Sequence, residues 1–346
     1  DVARLQFGVD QGVVLVHTHV AVDQAGLARG AHPALARERQ FRAHPQGGVE
    51  DRHVRVHPGV GDPTAHRHSQ GHRTFELGLR DWVRAQTGFE PGYVEQLYTF
   101  GDRGRELPRA DLGDAPSGAR LISVGYLGLT PERTDISAFN AVWRDWYSHF
   151  PWEDHRRERP DLIDRAIAPA LATWADTGKD AAAPLRRVEV AFGLEGRPWI
   201  EERTLERYEL LYEAGLAPEA ARDRNQKPSK LGASILGEPM ISDHRRILAT
   251  AIGRLRGKIK YRPVVFELMP ERFTLLELQK VVEALLGLCL HKQNFRRSLD
   301  RSGLVEGLGS FTQATGGRPA ELFRFRREAL RESEPMGVST PLLRTS

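Results

Sequence analysis

Apolar residues in the last quarter of the chain recur at the spacing of two consecutive helices. The first set comprises Leu278, Val281, Val282, Leu285 and Leu288. This spacing puts the set on one face of a helix. Thr274 and Glu277 form a capping box at its start, and Phe273 and Leu278 stand at the two positions of a hydrophobic staple. The pattern therefore predicts a helix that begins near residue 274 and ends at a turn over 287–290.

A second helix is predicted over residues 291–302. Phe295 and Leu299 are one turn apart and point inward, and Gly303 stands where a helix stops. The outward face carries polar side chains that can bond to bases and phosphates, and it comprises Lys292, Gln293, Asn294, Arg296 and Arg297. The order helix, turn, basic helix is typical of a module that reads the major groove of DNA. A solvated helix face is the alternative.

A wing is predicted after the second helix. Residues 304–317 are rich in Gly, Ser and Thr and are expected to form a loop, and residues 321–326 are expected to form a short strand. Arg318 lies between Gly317 and Pro319, where it could reach the DNA backbone or minor groove. Residues 291–327 contain eight Lys and Arg against three Asp and Glu, which favours phosphate contact.

A third basic segment precedes these helices, and its role stays open. Residues 247–255 have a helical pattern. The basic residues of the segment are Arg245, Arg246, Arg254, Arg256, Lys258, Lys260 and Arg262, with no acidic residue among them. They could contact DNA, bind an anionic nucleotide, or form a solvated face.

Apolar runs at residues 121–129, 188–194 and 264–269 predict strands of a mixed sheet. Between positions 143 and 152 the chain has five aromatic residues: Trp143, Trp146, Tyr147, Phe150 and Trp152. An adenine could stack on them, and packing in the core or against a dimer partner is the alternative. A fold with both sheet and helices follows.

The first 71 residues differ in character from the rest. Nine of the 13 histidines lie within residues 1–72, without metal-ligand spacing, and the apolar periodicity is poor after residue 21. Disorder is the simplest expectation, and a shifted reading frame or a misplaced start is the other. The whole length suits two domains. No run is long and apolar enough for a membrane span, so a cytoplasmic protein is expected, and Cys289, the one cysteine, is expected in the core.

Several segments together resemble the Nudix-related transcriptional regulators of NAD metabolism. They are DHRRIL at 243–248, LRGK at 255–258, residues 263–270, FTL at 273–275, NFRR at 294–297, GGRP at 316–319 and GYVEQLYTFGD at 92–102. The likeness covers about residues 72–330 and is greatest to the alphaproteobacterial branch that represses NAD biosynthesis genes. It implies an α/β fold: a Nudix-like α/β/α sandwich with a mixed sheet, followed by a C-terminal winged helix-turn-helix.

The resemblance also implies domain limits, partners and site residues. The expected parts are an anomalous segment 1–71, a sensor domain 72–270, a winged helix domain 271–330 and a tail 331–346. The expected partners are double-stranded operator DNA, a second copy of the chain and an effector such as NAD, ADP-ribose or ATP, with no required cofactor. DNA contacts fall to residues 292–297 and Arg318, and candidate ligand contacts are Tyr98, Asp102, Arg105 and Tyr126.

The glutamates of a working Nudix helix are missing from this sequence. When the end of that motif is aligned on Gly88 and Phe89, the metal-binding positions hold Arg73, Trp82, Ala85 and Gln86, and Asp81 stands at the arginine position. A second segment, YELLYEAGL at 208–216, keeps only Glu209 and Glu213 and is better explained as an amphipathic helix. The sequence therefore favours a regulator over a nucleotide pyrophosphohydrolase with a nucleic-acid module. An inert fragment with an incomplete sensor is the third hypothesis.

Overall fold

The structure is a computed structural model, and it describes residues 4–8, 13–22, 80, 84, 92–100, 120–131, 143–178, 181–231, 235–312 and 319–328. The chain divides into two compact units, residues 1–144 and 145–346. Both strands and helices occur, so the expected mixture of the two is confirmed. Within the described residues, no helix combines the length and the apolar character that a membrane crossing requires.

The first unit contains a mixed five-stranded sheet. Its strands are β1 (Arg4–Gly8), β2 (Val13–Val22), β3 (Tyr93–Phe100), β4 (Arg120–Leu129) and β5 (Trp143–Arg144). Their order is β3-β4-β2-β1-β5, and only the β1–β5 pair is parallel. The predicted strand at 121–129 is confirmed as the strand β4 between β2 and β3. Within the anomalous segment, residues 4–8 and 13–22 are strands, whereas residues 23–70, where the apolar periodicity is poor, lie outside the described residues.

The second unit begins with helices. They are a π-helical turn (Ile163–Ile167) that continues into α1 (Ala168–Ala175), then α2 (Ala182–Phe192), α3 (Thr204–Glu213), α4 (Pro218–Asp223) and α5 (His244–Ile259). Short 3-10 helices occur at Trp146–Ser148, Pro151–Glu153, Glu201–Arg203 and Val264–Leu268. The helix predicted over 247–255 is confirmed within α5.

Two of the three predicted strands are wrong. Residues 188–192 belong to α2, where Val188, Ala191 and Phe192 are buried on one helical face and Gly193 ends the helix at a positive φ of 60°. Residues 264–268 form a 3-10 helix between Pro263 and Met269. In both cases a short apolar run is buried by neighbouring helices, and burial alone does not distinguish a strand from a helix.

The end of the described chain is a helix pair followed by a hairpin. It comprises α6 (Leu275–Leu286), α7 (Lys292–Ser302), β6 (Val305–Thr312) and β7 (Ala320–Phe325). Phe273 bridges to Phe323 through two backbone hydrogen bonds of 3.0 and 2.8 Å, and Phe266 stacks on Phe325 with ring centroids 4.1 Å apart. The loop expected over 304–317 is wrong for residues 305–312, because pairing with β7 makes a strand of a sequence with low strand propensity.

Candidate nucleic-acid interface

The capping box predicted at the start of α6 is present. The Thr274 hydroxyl accepts a hydrogen bond from the Glu277 backbone N–H at 3.2 Å, and the Glu277 carboxylate accepts from the Thr274 N–H at 2.7 Å. These two bonds satisfy donors that the first helical turn leaves unpaired. The apolar face of α6, including Leu278, Val282 and Leu285, is buried as the spacing predicts.

A polar clamp fixes the turn between α6 and α7. The side-chain amide of Gln279 donates to Glu283 and to the Leu290 carbonyl, both at 2.9 Å, and the Glu283 carboxylate accepts from the Leu290 N–H at 2.9 Å. Gln279 is buried. Because both backbone groups of Leu290 are held from α6, the start of α7 is fixed relative to that helix.

The helix α7 presents the predicted polar face to solvent. Phe295, Ser298 and Leu299 are buried, and the outward residues Lys292, Gln293, Asn294, Arg296 and Arg297 are all exposed. None of these five makes a side-chain hydrogen bond or ion pair with another residue that the structure describes. A reading face needs this arrangement, since side chains already engaged within the protein cannot bond to bases.

Further exposed residues on α7 were not singled out from the sequence. Arg301 lies one turn beyond Arg297 and is exposed, and Asp300 is exposed beside it. The N-cap residue His291 is exposed, makes no side-chain cap, and is followed by no acidic residue in the first turn. The same helical spacing that identified Arg297 also places Arg301 on the outward side. Because no acidic residue lies in its first turn, the N-terminus of α7 is compatible with a nearby phosphate.

The wing is a two-stranded hairpin whose tip, residues 313–318, lies outside the described residues. The prediction for Arg318 falls in that tip and stays a prediction. On the strands, Arg324 pairs with Glu306, and the Phe311 side chain is 63% exposed beside the tip. The described part of the wing therefore adds no free arginine on β7 but brings a large apolar side chain to the surface.

The basic residues of α5 differ from those of α7. Arg245 and Arg256 are fully buried, and each is paired with a buried carboxylate, Glu219 for Arg245 and Glu153 for Arg256. Arg246 pairs with Glu209 at 2.5 Å, and Lys260 with Glu201 at 2.6 Å. The interpretation of the segment as one solvated or DNA-contacting face is therefore wrong for these four residues. Arg254 and Arg262 are exposed.

The pair of Glu153 and Arg256 belongs to a larger buried cluster. Arg207 is fully buried and donates to the Glu153 carboxylate at 2.5 and 2.9 Å, and its guanidinium lies 3.8 Å from the Trp199 ring centroid. Burial by itself raises the pKa of Glu153, but the charges of Arg207 and Arg256 outweigh it and lower that pKa. Glu153 is therefore ionised at neutral pH and bridges two arginines.

The four ligand candidates are only partly described. Asp102 and Arg105 lie outside the described residues. Tyr98 on β3 is 64% exposed, and Tyr126 on β4 is 3% exposed with its hydroxyl 3.5 Å from the Gln96 side-chain oxygen. The strand register places Tyr98 opposite Gly125 and Gln96 opposite Tyr126, so the two tyrosines lie on opposite faces of the sheet.

Four of the five aromatics between 143 and 152 are core residues. Trp146, Tyr147, Phe150 and Trp152 are at most 6% exposed, and Phe150 contacts Trp152 and Tyr208 edge to face. Core packing, the alternative to adenine stacking, is therefore confirmed for them. In contrast, the expectation of a buried Cys289 is wrong, since this thiol is exposed in the turn before α7.

The two glutamates of the 208–216 segment are engaged in ion pairs. Glu209 pairs with Arg246, and Glu213 with Arg187 at 2.9 Å. Both line an open groove of about 590 Å³ between α2 and α3. In the described part of the chain, no three His, Cys, Asp or Glu side chains are grouped as a metal site requires. The residues aligned on the Nudix metal positions lie outside that part.

Comparison with known proteins identifies the helix pair and hairpin. Residues 265–325 match the family model described as the NrtR DNA-binding winged helix domain. The chain is also 43% identical over 83 residues to the ADPR responsive transcriptional repressor NtrR of Acinetobacter baylyi, a match that covers 24% of this chain and 33% of that protein. The chain thus spans about a third of the length of the curated relative it matches.

Two solved structures of NrtR from Shewanella oneidensis, one in complex with a 27mer DNA, are also similar. They are 17% identical to this chain, with TM-scores of 0.40 for the complex and 0.39 for the other structure. The alignments cover 96% and 94% of this chain and 94% and 92% of those chains. At this level they do not extend the assignment beyond the C-terminal segment. The helix pair and hairpin of this chain are therefore similar to the NrtR DNA-binding winged helix domain over residues 265–325.

Proposed function

We propose that this protein is a ligand-responsive transcriptional regulator that binds operator DNA and represses NAD biosynthesis genes. The observation that carries the proposal is the outward face of α7, where five polar side chains are exposed and unengaged by the described residues. The name of the Acinetobacter relative, an ADPR responsive transcriptional repressor, supports the same function.

The residues of α7 divide by the contacts that their chemistry allows. Gln293 and Asn294 can bond bidentately to adenine, and Arg296 and Arg297 to guanine, whereas Lys292 near the helix start suits a phosphate. Arg318 at the tip of the wing would reach the backbone or minor groove. A winged helix docks with this second helix in the major groove, and a homodimer would place two such helices on two half-sites.

The sensor is proposed to lie in residues 72–270, with winged helix residues 271–330 as the effector. A nucleotide such as NAD, ADP-ribose or ATP would contact Tyr98, Asp102, Arg105 and Tyr126. Binding one arrangement of the dimer better than another would change the separation of the two α7 helices, and therefore the affinity for the operator. ADP-ribose has the added support of the relative's name.

We further propose that the sensor does not hydrolyse the nucleotide that it binds. The substitutions at the Nudix metal positions, with Ala85 and Gln86 in place of the paired glutamates, support an inactive site. The alternative is a nucleotide pyrophosphohydrolase with an appended nucleic-acid module. Incubation of the purified protein with ADP-ribose and Mg²⁺ separates the two, because release of AMP that depends on protein concentration would favour the hydrolase.

A mobility-shift titration tests the regulatory function. Purified protein is titrated onto its own upstream DNA and onto promoters of NAD biosynthesis genes, with and without each nucleotide. Arg297→Ala is expected to weaken specific binding by about 10- to 100-fold, the loss of one bidentate base contact. Arg165→Ala removes another exposed arginine, outside the winged helix, and is expected to bind as wild type does. Absence of specific binding by the wild-type protein would contradict the proposal.

A further inference from the structure

The carboxyl end of α6 is capped by residues from outside the winged helix. The Tyr147 hydroxyl donates to the Ala284 carbonyl at 2.7 Å, and the Arg256 Nε donates to the Leu285 carbonyl at 3.0 Å. The His155 backbone N–H donates to the Gly287 carbonyl at 2.7 Å. The last carbonyls of a helix have no partner within it, so these three bonds tie the end of α6 to residues 147–155 and to α5.

The donating side chains are themselves held in the buried cluster around Glu153. Arg256 also contacts the Glu153 carboxylate, and it donates to the Glu201 carbonyl and the Thr204 hydroxyl, both at 3.1 Å. Burial raises the pKa of Tyr147, which keeps its hydroxyl protonated and able to donate. A guanidinium at a helix carboxyl end is further stabilised by the helix dipole. Arg256 also donates to the Tyr147 hydroxyl at 3.3 Å, so neither donor can move without breaking another buried bond.

Close packing at the turn supports the same attachment. Gly287 has a positive φ of 71° and is buried, and a Cβ added there would collide with the Glu153 carbonyl oxygen. The turn therefore lies directly against the backbone at Glu153. A side chain at position 287 would push the turn away from the cluster.

This attachment lies next to the reading helix. The helix α7 begins at Lys292, and the clamp of Gln279 and Glu283 on Leu290 fixes its entry relative to α6. A shift at the end of α6 is therefore carried into α7. Base contacts tolerate only about 0.5 Å of displacement and about 10–20° of rotation, whereas contacts to phosphates from flexible lysines tolerate more.

We propose that Tyr147 and Arg256 are positioning residues for DNA recognition that, with Arg256 held by Glu153, set the orientation of α7 on the helical body of the second unit. The inference rests on the proposed function. A fully buried charge cluster that makes no contact with DNA would thus contribute to the discrimination between an operator and other DNA. Loss of a capping bond is expected to reduce specific binding and to leave non-specific binding unchanged.

Tyr147→Phe tests the inference because it removes one capping hydroxyl and keeps the ring. Tyr208→Phe is the matched control, another buried tyrosine of the same unit, packed on Phe150 away from the end of α6. Each variant is titrated onto the operator duplex and onto a duplex of scrambled sequence and equal length, after the folded fraction is checked by thermal melting.

The expected result for Tyr147→Phe is an operator affinity lower by about two- to ten-fold, the range for one hydrogen bond. The affinity for the scrambled duplex and the salt slope should stay at the wild-type values, and Tyr208→Phe should keep the wild-type ratio of the two affinities. An unchanged ratio in Tyr147→Phe, or the same change in both variants, would overturn the inference. Failure of the wild-type protein to prefer the operator would instead contradict the proposed function.

Discussion

Two helices of the second unit, α5 and α7, are rich in arginine, but their arginines differ in burial and in pairing. In α5, Arg245 and Arg256 are fully buried against carboxylates, whereas in α7, Arg296 and Arg297 are exposed and unengaged by the described residues. Their sequences alone do not separate them, since both carry several arginines and the carboxylates that pair with α5 do not lie on α5 itself. A basic segment can therefore serve as a DNA-binding surface only if the rest of the fold does not pair its arginines with carboxylates.

The acidic partners of α5 come from distant parts of the chain. Glu153 follows the aromatic run, Glu209 lies on α3 and Glu219 on α4. A buried pair has lost its hydration and relies on its partner, whereas an exposed arginine keeps its water until DNA replaces it. The two helices should therefore respond differently to loss of a partner, to acid and to salt.

The largest effect on stability is expected from Glu153→Gln, which removes the carboxylate shared by the buried arginines. It leaves Arg207 and Arg256 in the core without a carboxylate, and loss of one partner of a buried ion pair costs about 3–5 kcal/mol. Urea unfolding measures this free energy. Glu213→Gln is the control, because its pair with Arg187 is exposed and contributes at most about 1 kcal/mol. Similar urea midpoints for Glu153→Gln and Glu213→Gln would contradict the proposed difference between the buried and the exposed ion pairs.

A smaller effect is expected from pH at His155, which stacks on Trp199 beside the cluster. Burial lowers the pKa of His155 from 6.5 to about 4, and the nearby Glu153 charge opposes this only in part. The unfolded chain therefore binds more protons between these values, so the stability due to neutral His155 is present above pH 6.5 and is lost as pH falls towards 4.

Replacement of His155 checks this dependence. Urea midpoints of the wild-type protein should decline between pH 6.5 and 4 more steeply than those of His155→Phe and His155→Gln, neither of which titrates. Phe keeps the stacking on Trp199 and Gln keeps a donor for the Trp152 carbonyl, so a shared, flatter profile isolates the proton. The idea fails if all three profiles are parallel.

The smallest effect, a change in DNA affinity, is expected from Lys292→Gln on the exposed face of α7. Loss of one phosphate contact should weaken binding to all duplexes equally and reduce the slope of log affinity against log salt by about 1. The free energy of unfolding should not change, because Lys292 is exposed. Lys227→Gln, at an exposed lysine outside the winged helix, should leave the slope as it is; an equal change there would show that the slope reports only net charge.

Local signals in the sequence predicted the winged helix well. The capping box, the apolar spacing of α6 and the outward face of α7 depend on neighbours within a few residues, and all three are confirmed. The errors at 188–194 and 264–269 arose in short, mainly apolar runs, whose periodicity does not distinguish a strand from a helix, so that tertiary packing decides the element. Strand β6 was missed because its Gly and Ser residues give it a low strand propensity, and it becomes a strand only through its pairing with β7.

The outward residues of α7 were predicted individually, but the residues elsewhere in the fold that hold this helix in place were not. Helical spacing is enough to place Arg297 on an exposed face. It cannot reveal that Tyr147, 137 residues before Ala284 in sequence, caps the helix that holds α7. Cys289 is a second case in which local sequence did not reveal the tertiary environment. The leucines that flank it suggested burial, but its position in the turn exposes it.

The exposed Cys289 has a practical consequence. It is the one cysteine of the chain, so a thiol-reactive spin label attaches at a single place in each copy of the chain, three residues before Lys292 at the start of α7, without any mutation. In a homodimer bound to an operator, the distance between two such labels would follow the separation of the reading helices. A label on this native cysteine would therefore report the change in helix separation that a nucleotide is proposed to cause.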